Sequence, residues 1–182
     1  MLALRKILSI ALFTLVSATA RATDYAVELD GISPPPVLHG VLSTMIQTGD
    51  PVFQRPKYSG DFIGMHPCAE SVFVGDFRYE TITLTNTAAT DTPFNFRVAT
   101  ATCEGEQDSV VFGYATFNAN DPLSECLLVN DDGGDQGLCS LFSSTLAPSE
   151  SMVIVITSYF PDKTWPWTGT FEESSLFEDG FE

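Results

Sequence analysis

The chain has 182 residues, a length that fits one domain of ordinary size. Its formal net charge is −16, because 24 acidic residues are set against eight basic ones. A chain of this charge repels a phosphate backbone, which argues against nucleic-acid binding and leaves a solvated acidic surface or cation binding as the alternatives.

The first 22 residues have the layout of a secretory signal peptide. Arg5 and Lys6 form a positive start, an apolar stretch follows at 7–16, and small residues within 18–22 offer cleavage positions. The apolar stretch is shorter than the roughly 20 residues that a membrane-spanning helix needs, so we expect a secreted protein, extracellular or periplasmic, with no membrane span. Cleavage after residue 22 would also remove Arg21 and bring the net charge to −19.

Residues 23–49 are interpreted as an N-terminal leader segment. Pro34, Pro35 and Pro36 cannot donate to a sheet ladder and favour an extended polyproline conformation. Residues 41–46 fit either a short strand or a helical turn. We therefore place the start of the folded domain at residue 50.

From residue 50 to residue 173 the chain reads as β structure, with short apolar blocks separated by Gly, Pro, Asn and Asp. Phe94, Phe96 and Val98 alternate with polar residues, which is typical of a strand with one wet face. Residues 152–156 are apolar on both faces and are predicted to lie in the middle of a sheet. Further strands are predicted at 110–117, 127–129, 141–146 and 168–171.

The segment 77–84 is also predicted to be a strand, but its apolar residues change parity. Phe77 and Tyr79 occupy odd positions, whereas Ile82 and Leu84 occupy even ones. A β-bulge between the two pairs would put all four side chains on one face. Since no segment after the signal peptide shows a convincing helical period, the sequence predicts one all-β domain, an antiparallel, jelly-roll-like β-sandwich at 50–173, with an acidic flexible tail at 174–182.

The four cysteines of an exported chain indicate disulfide bonds. We favour the pairs Cys126–Cys139 and Cys68–Cys103, because each closes a self-contained stretch of chain. The smaller loop would contribute about 3 kcal/mol. A zinc site is the alternative, but no C-x-x-C pair exists and both histidines lie far from the later cysteines in the sequence.

No catalytic motif is present: the sequence lacks G-x-S-x-G, H-E-x-x-H and a glycine-rich phosphate loop. His39 and His66 have no nucleophile or carboxylate beside them in a recognisable arrangement. Two groups of acidic residues are interpreted as solvated strand ends: Glu104, Glu106 and Asp108, and the pair Glu172 and Glu173. We expect a non-catalytic protein, and the alternative is an exported hydrolase with scattered residues, of which His66, Asp131 and Asp132 are the candidates.

The aromatic segment 159–167 is a candidate ligand-binding site, with Tyr159, Trp165 and Trp167 as its residues. Trp165 and Trp167 are two positions apart, so both rings project to the same side of an extended chain. Two exposed indoles could stack on a sugar or anchor a protein partner. The alternative is that they cap the end of the hydrophobic core.

The segment CLLVNDDGGDQGLC at 126–139 is a candidate calcium site. Asn130, Asp131, Asp132 and Asp135 supply the hard oxygen donors that calcium takes, and the glycines let the chain fold back. The spacing is not that of an EF-hand. The alternative is a turn pinned by a disulfide, with no metal and no cofactor.

A family resemblance rests on the order of several short motifs. They are DPVFQRP at 50–56, the first core strand at 77–84, YATFNANDPL at 114–123, NDDG at 130–133, TLAPSES at 145–151 and TGTF at 168–171. In this order, residues 50–173 resemble the bacterial pre-peptidase C-terminal domains, in the broad sense of that β-sandwich group. The sequence departs from the usual pattern by a cysteine in the loop at 102–108 and by a reduced aspartate-leucine strand that starts at Asp108.

The resemblance implies an accessory, non-catalytic module. Such domains are linked to secretion, to attachment to substrates or surfaces, and in some cases to calcium. We therefore expect an exported binding module with a protein or carbohydrate partner outside the cytoplasm. A regulator or inhibitor of an exported protease is a further alternative.

Overall fold

A computed structural model describes residues 24–30, 37–58, 63–99, 103, 107–133 and 137–173. The predicted signal peptide, the triple proline, Asp135 and the tail at 174–182 lie outside the described residues. The described part contains strands and no helix. The strands are β1 (Asp24–Leu29), β2 (Val37–Ile46), β3 (Val52–Phe53), β4 (Pro56–Tyr58), β5 (Met65–Val72), β6 (Phe77–Asn86), β7 (Thr92–Val98), β8 (Ser109–Tyr114), β9 (Cys126–Asn130), β10 (Leu141–Leu146), β11 (Ser151–Ser158) and β12 (Trp165–Glu173).

Two sheets pack face to face as a β-sandwich. The larger sheet has the strand order β1-β6-β11-β8-β9-β5-β4, with β3 paired beside it on β6, and the smaller has the order β10-β7-β12-β2. Every pairing between these described strands is antiparallel except that of β1 with β6, which is parallel. The prediction of an all-β, disulfide-bonded sandwich is confirmed. No helix in the described part of the chain is long and apolar enough to cross a membrane.

The central strands β6, β8 and β11 of the larger sheet are buried on both faces. One hydrophobic cluster lies between the sheets and joins residues such as Ile82 and Ile154 to Phe96 and Phe142 of the smaller sheet. A second cluster lies on the opposite face of the larger sheet, where Phe112 and its neighbours pack under β3 and the loop after β8. Because side chains alternate along a strand, the central strands read as continuous apolar runs.

The predicted bulge in β6 is wrong. The pairing of β6 with β11 continues without a register shift from Tyr79 to Thr85. Phe77 and Tyr79 instead enter the outer cluster, while Ile82 and Leu84 enter the cluster between the sheets. The change of parity therefore marks a strand that is buried on both faces.

The described residues of the predicted leader segment belong to the sandwich. β1 pairs with β6, and its last residue, Leu29, is fully buried. β2 pairs with β12 along its length, so residues 41–46 form a strand and not a helical turn. Tyr25, Val27 and Leu29 already show the alternation of a strand, but their partners lie far away in the sequence.

The disulfide pairing also differs from the prediction. Cys68 is bonded to Cys126, with 6.0 Å between the Cα atoms, and Cys103 to Cys139, with 5.4 Å. The first bond follows from the pairing of β5 with β9, which brings strands distant in sequence side by side. No cysteine of the described chain is free, so the zinc alternative is excluded.

The predicted alternation in β7 and the central position of 152–156 are confirmed. Residues of β7 are buried at every second position. β11 lies between β6 and β8 and pairs with both.

Gly113 of β8 faces β10 at close range, because a Cβ atom at this position would lie 2.3 Å from Cζ of Phe142.

Candidate functional site

Three carboxylates meet at one end of the larger sheet. Asp108 directly precedes β8, and Asp131 and Asp132 directly follow β9. β8 and β9 are antiparallel, with Val111 opposite Asn130, so the start of one strand lies beside the end of the other. One carboxylate oxygen from each aspartate lies within 4.8 Å of the others. We call Asp108, Asp131 and Asp132 the acid cluster.

Two members of the acid cluster are buried and incompletely hydrogen-bonded. Asp131 is 1% exposed and Asp108 is 9% exposed. The hydroxyl of Tyr58 donates to Oδ2 of Asp131. Oδ1 of Asp131 and Oδ1 of Asp108 accept no hydrogen bond from the described residues. Buried acceptors without donors are rare in native proteins, because each one costs free energy.

Burial raises the pKa of each carboxyl in the acid cluster. For Asp108 the pKa is raised to about 7, first by burial and then by the negative charges of Asp131 and Asp132. For Asp131 it is raised to about 6 by burial, although the Tyr58 hydrogen bond and the charge of Arg55 act in the opposite direction. The pKa of Asp132 is raised by burial as well.

Arg55 is a buried cation beside the acid cluster. Its guanidinium lies 4.6 Å from the ring centroid of Phe73 and 5.1 Å from those of Phe77 and Tyr159, and its Nη2 donates to the carbonyl of Tyr159. Burial lowers the pKa of Arg55, and the charge of Asp131 opposes that effect. The three aromatic rings hold a positive charge that partly balances the carboxylates.

The loop after β9 is fixed from both sides. Asn130 donates through Nδ2 to the carbonyl of Gly64 and accepts at Oδ1 from the backbone N–H of Leu141. The hydroxyl of Ser140 lies 2.8 Å from the carbonyl oxygen of Asp131. The amide of Asn130 therefore holds the backbone in place, which is a different role from the calcium ligand that the sequence suggested.

The structure brings together only part of the predicted calcium site. Asp131 and Asp132 lie in the acid cluster, whereas Asp135 lies outside the described residues. Asp108 was interpreted as part of a solvated strand end, but it is buried and joins the cluster. The sequence did place Asp108 directly before an apolar strand, which is a signal of burial. Only the pairing of β8 with β9 shows that this strand end lies beside Asp131 and Asp132.

The predicted aromatic binding site is wrong for both indoles. Trp165 is 2% exposed and Trp167 is 1% exposed, and both belong to the cluster between the sheets. Their rings share one side of β12, as predicted, but that side faces the core. Nε1 of Trp167 donates to the buried carboxylate of Glu80, at 2.7 Å. Tyr159 is half-buried, and its ring packs over Arg55.

His66 lies beside Tyr58, which connects it to the acid cluster. Its ring stacks on Tyr58, whose hydroxyl binds Asp131, and its Nε2 lies 3.1 Å from the carbonyl oxygen of Ile63. The carboxylate of Asp131 thus binds the hydroxyl of Tyr58, whereas a ring nitrogen of His66 contacts a backbone carbonyl.

An open groove of about 470 Å³ lies on the outer face of the larger sheet, beside β3. Phe53 joins the outer hydrophobic cluster at its floor, while Val52 is 41% exposed and Val74 is 86% exposed. Polar groups are supplied by exposed residues directly after β3, in the turn before β6 and in the loop after β8. The lining residues are Val52, Phe53, Gln54, Val74, Gly75, Asp76, Ala119, Asn120 and Pro122.

No protein-family model and no curated protein matches this chain. Among solved structures, the chain is similar to the pre-peptidase C-terminal domain of collagenase from Bacillus anthracis, with a TM-score of 0.44 and 8% identity, over 82% of this chain and 95% of that one. It is also similar to PliG of Aeromonas hydrophila, a periplasmic lysozyme inhibitor of g-type lysozyme, with a TM-score of 0.40 and 11% identity, over 85% of this chain and all of the other. The first of these belongs to the group of domains that the sequence resembles.

Proposed function

We propose that this protein is an exported, non-catalytic binding module and that the groove beside β3 receives its partner. The groove is the observation that carries the proposal. It combines a buried aromatic floor, two exposed valines, the side-chain amides of Gln54 and Asn120 and the carboxylate of Asp76, which is the composition of a recognition surface.

The two disulfides support a location outside the cytoplasm, because such bonds persist in oxidising compartments. The net charge of −16 favours a partner with a basic surface. Charge complementarity of this kind raises association rates and weakens as salt is added. We therefore infer a basic protein as the partner, and a carbohydrate is the alternative that salt dependence would distinguish.

The groove differs from the acid cluster in its chemistry. Among the described residues that line it, Asp76 is the one with an ionisable side chain. Binding there depends on shape, apolar contact and hydrogen bonds. The buried carboxylates lie elsewhere in the fold, so the two regions can be tested separately.

The experiment compares two variants as baits for exported proteins of the organism that encodes this chain. Replacing Val52 and Val74 by serine changes the groove, and Val41→Ser is the matched control, because Val41 is 54% exposed on β2 of the other sheet. We expect the groove variant to bind the captured partner at least tenfold more weakly at equal stability, and Val41→Ser to bind normally. Equal binding by both variants would reject the groove.

The hydrolase alternative has its own test. The purified protein is assayed with peptide, ester and glycoside substrates, alongside His66→Ala and Asp131→Asn. We expect no turnover that depends on either side chain. Hydrolysis that disappears with one of these substitutions would overturn the proposal of a non-catalytic module.

A further inference from the structure

We infer that Asp108, Asp131 and Asp132 bind one calcium ion at the end of the larger sheet. The first argument is position. Antiparallel pairing of β8 and β9 places the three side chains together, and the disulfide between Cys103 and Cys139 joins the two segments that carry them. Their oxygens lie within 4.8 Å of each other, which is about twice a calcium–oxygen distance.

The second argument is that two buried carboxylate oxygens have no hydrogen-bond donor among the described residues. Oδ1 of Asp108 and Oδ1 of Asp131 have no donor in the described structure, although both side chains are at least nine-tenths buried. Tyr58 holds the other oxygen of Asp131 and so fixes the direction of the carboxylate. A cation would satisfy both acceptors at once.

The third argument is charge. The three ionised carboxylates carry −3, and Arg55 is the cation whose charge acts on both Asp108 and Asp131. The remaining charge of −2 would be neutralised by one divalent cation. Carboxylate oxygens without nitrogen or sulfur ligands select calcium or magnesium over zinc.

Calcium fits this site better than magnesium. Calcium accepts irregular sets of six to eight oxygens, whereas magnesium demands near-ideal octahedral geometry and keeps several waters. Asp132 is only half-buried, so it provides an entry path and room for water ligands. The ligand set differs from the one that the sequence suggested. It includes Asp108 and excludes Asn130, because both ends of the Asn130 amide form hydrogen bonds with backbone groups.

The competing explanation is that the acid cluster shares protons in place of a metal. A protonated carboxyl can donate to its neighbour and also relieve the repulsion. The two explanations differ in their dependence on calcium at a pH where the carboxyls ionise.

The test is thermal unfolding of the full mature protein at pH 8, first in EDTA and then with calcium or magnesium chloride. At a hundredfold excess of calcium over its dissociation constant, we expect the midpoint to rise by about 5–10 °C. Calcium titrated into the EDTA-treated, dialysed protein should bind with a stoichiometry of one by calorimetry. No rise and no heat with millimolar calcium would overturn the inference and favour shared protons.

Substitutions then locate the ion. Asp108→Asn and Asp132→Asn keep the size of the side chain and remove its charge, and Asp121→Asn is the control on an exposed loop. We expect the two cluster variants to bind calcium at least tenfold more weakly and the control to bind normally. Equal loss in all three would refute the site. If a cluster variant fails to fold, displacement of terbium by calcium in the wild-type protein still decides whether one ion binds.

Discussion

Replacing Cys103 and Cys139 by alanine tests the disulfide that joins the segment before β8 to the segment after β9. The bond separates its cysteines by 36 positions, so it closes a loop of about 37 residues in the unfolded chain. The chain-entropy relation gives about 4 kcal/mol of stabilisation for such a loop. This is a large share of the roughly 5–15 kcal/mol by which single domains are stable.

The assay is unfolding in urea, followed by tryptophan fluorescence, since both indoles are buried between the sheets. With a slope of about 2 kcal/mol per molar urea, the midpoint of the double variant should fall by about 2 M. Both sulfur atoms are buried, so alanine leaves a small cavity that adds to the loss. A fall in stability below about 1 kcal/mol would refute the reasoning.

A second pair of substitutions distinguishes the two disulfide patterns. Replacing Cys126 and Cys139 by alanine breaks both bonds of the structure and leaves Cys68 and Cys103 as free thiols. If the cysteines were paired as the sequence predicted, Cys68 with Cys103 and Cys126 with Cys139, the same variant would lose one bond and have no free thiol. We expect two thiols by alkylation under denaturing conditions and a stability loss of about 8 kcal/mol, which could prevent folding altogether.

Three further predictions concern the core and the acid cluster. Gly113→Ala should cost about 1–3 kcal/mol in urea unfolding, because its Cβ would overlap a phenylalanine of β10; an unchanged midpoint would contradict the close approach. Trp167→Phe should cost about 1–3 kcal/mol more than Trp165→Phe, because it removes a donor from the buried side chain of Glu80, whereas the indole N–H of Trp165 has no acceptor among the described residues; equal losses would contradict this. In EDTA, the free energy of unfolding should fall as the pH rises from about 4 to about 7, because the folded protein there holds protons on Asp131 and Asp108, with pKa values of about 6 and about 7, that the unfolded chain has lost; each group contributes up to about 1.4 kcal/mol per pH unit. Asp108→Asn should reduce that slope, most clearly between pH 6 and pH 7, and an unchanged slope would exclude Asp108 as a source.

The strands that the sequence predicted best are those whose pattern depends on one local period. β7 alternates because one face contacts the core and the other faces solvent, and this is visible within seven residues. β6 was misinterpreted because the change from Phe77 and Tyr79 to Ile82 and Leu84 was read as a bulge. A second core on the outer face explains the same pattern, and only the position of β3 and the loop after β8 reveals it.

The contacts that the sequence did not predict are those between segments far apart in the chain. Residues 23–49 were interpreted as a leader on the basis of the triple proline, whereas β6 and β12, both distant in the sequence, pair with β1 and β2. The same cause accounts for the cysteines, since pairing between β5 and β9 overrides closeness in sequence.

The candidate site was predicted in part for the same reason. Asp131 and Asp132 were recognised from their residue types within one short loop. Asp108 and Arg55 reach that loop only through the folding of the sheet, so no local pattern contains them. For Trp165 and Trp167, the spacing predicted a shared side, but the face of β12 that is buried depends on its neighbours in the smaller sheet.

The position of β12 has a consequence for the order in which the chain can fold. β12 lies between β7 and β2, so it joins the earliest strand of the smaller sheet to the rest of that sheet. While the chain emerges from its N-terminal end, β2 has no partner strand until residues 165–173 arrive. Phe96 of β7 likewise lacks the rings of Trp167 and Phe171, against which it packs in the complete sandwich. Completion of the sandwich therefore waits for the last strand, as expected for a topology dominated by distant contacts. Until then, β2 and one edge of β7 are unpaired, so the incomplete sandwich would depend on protection against aggregation.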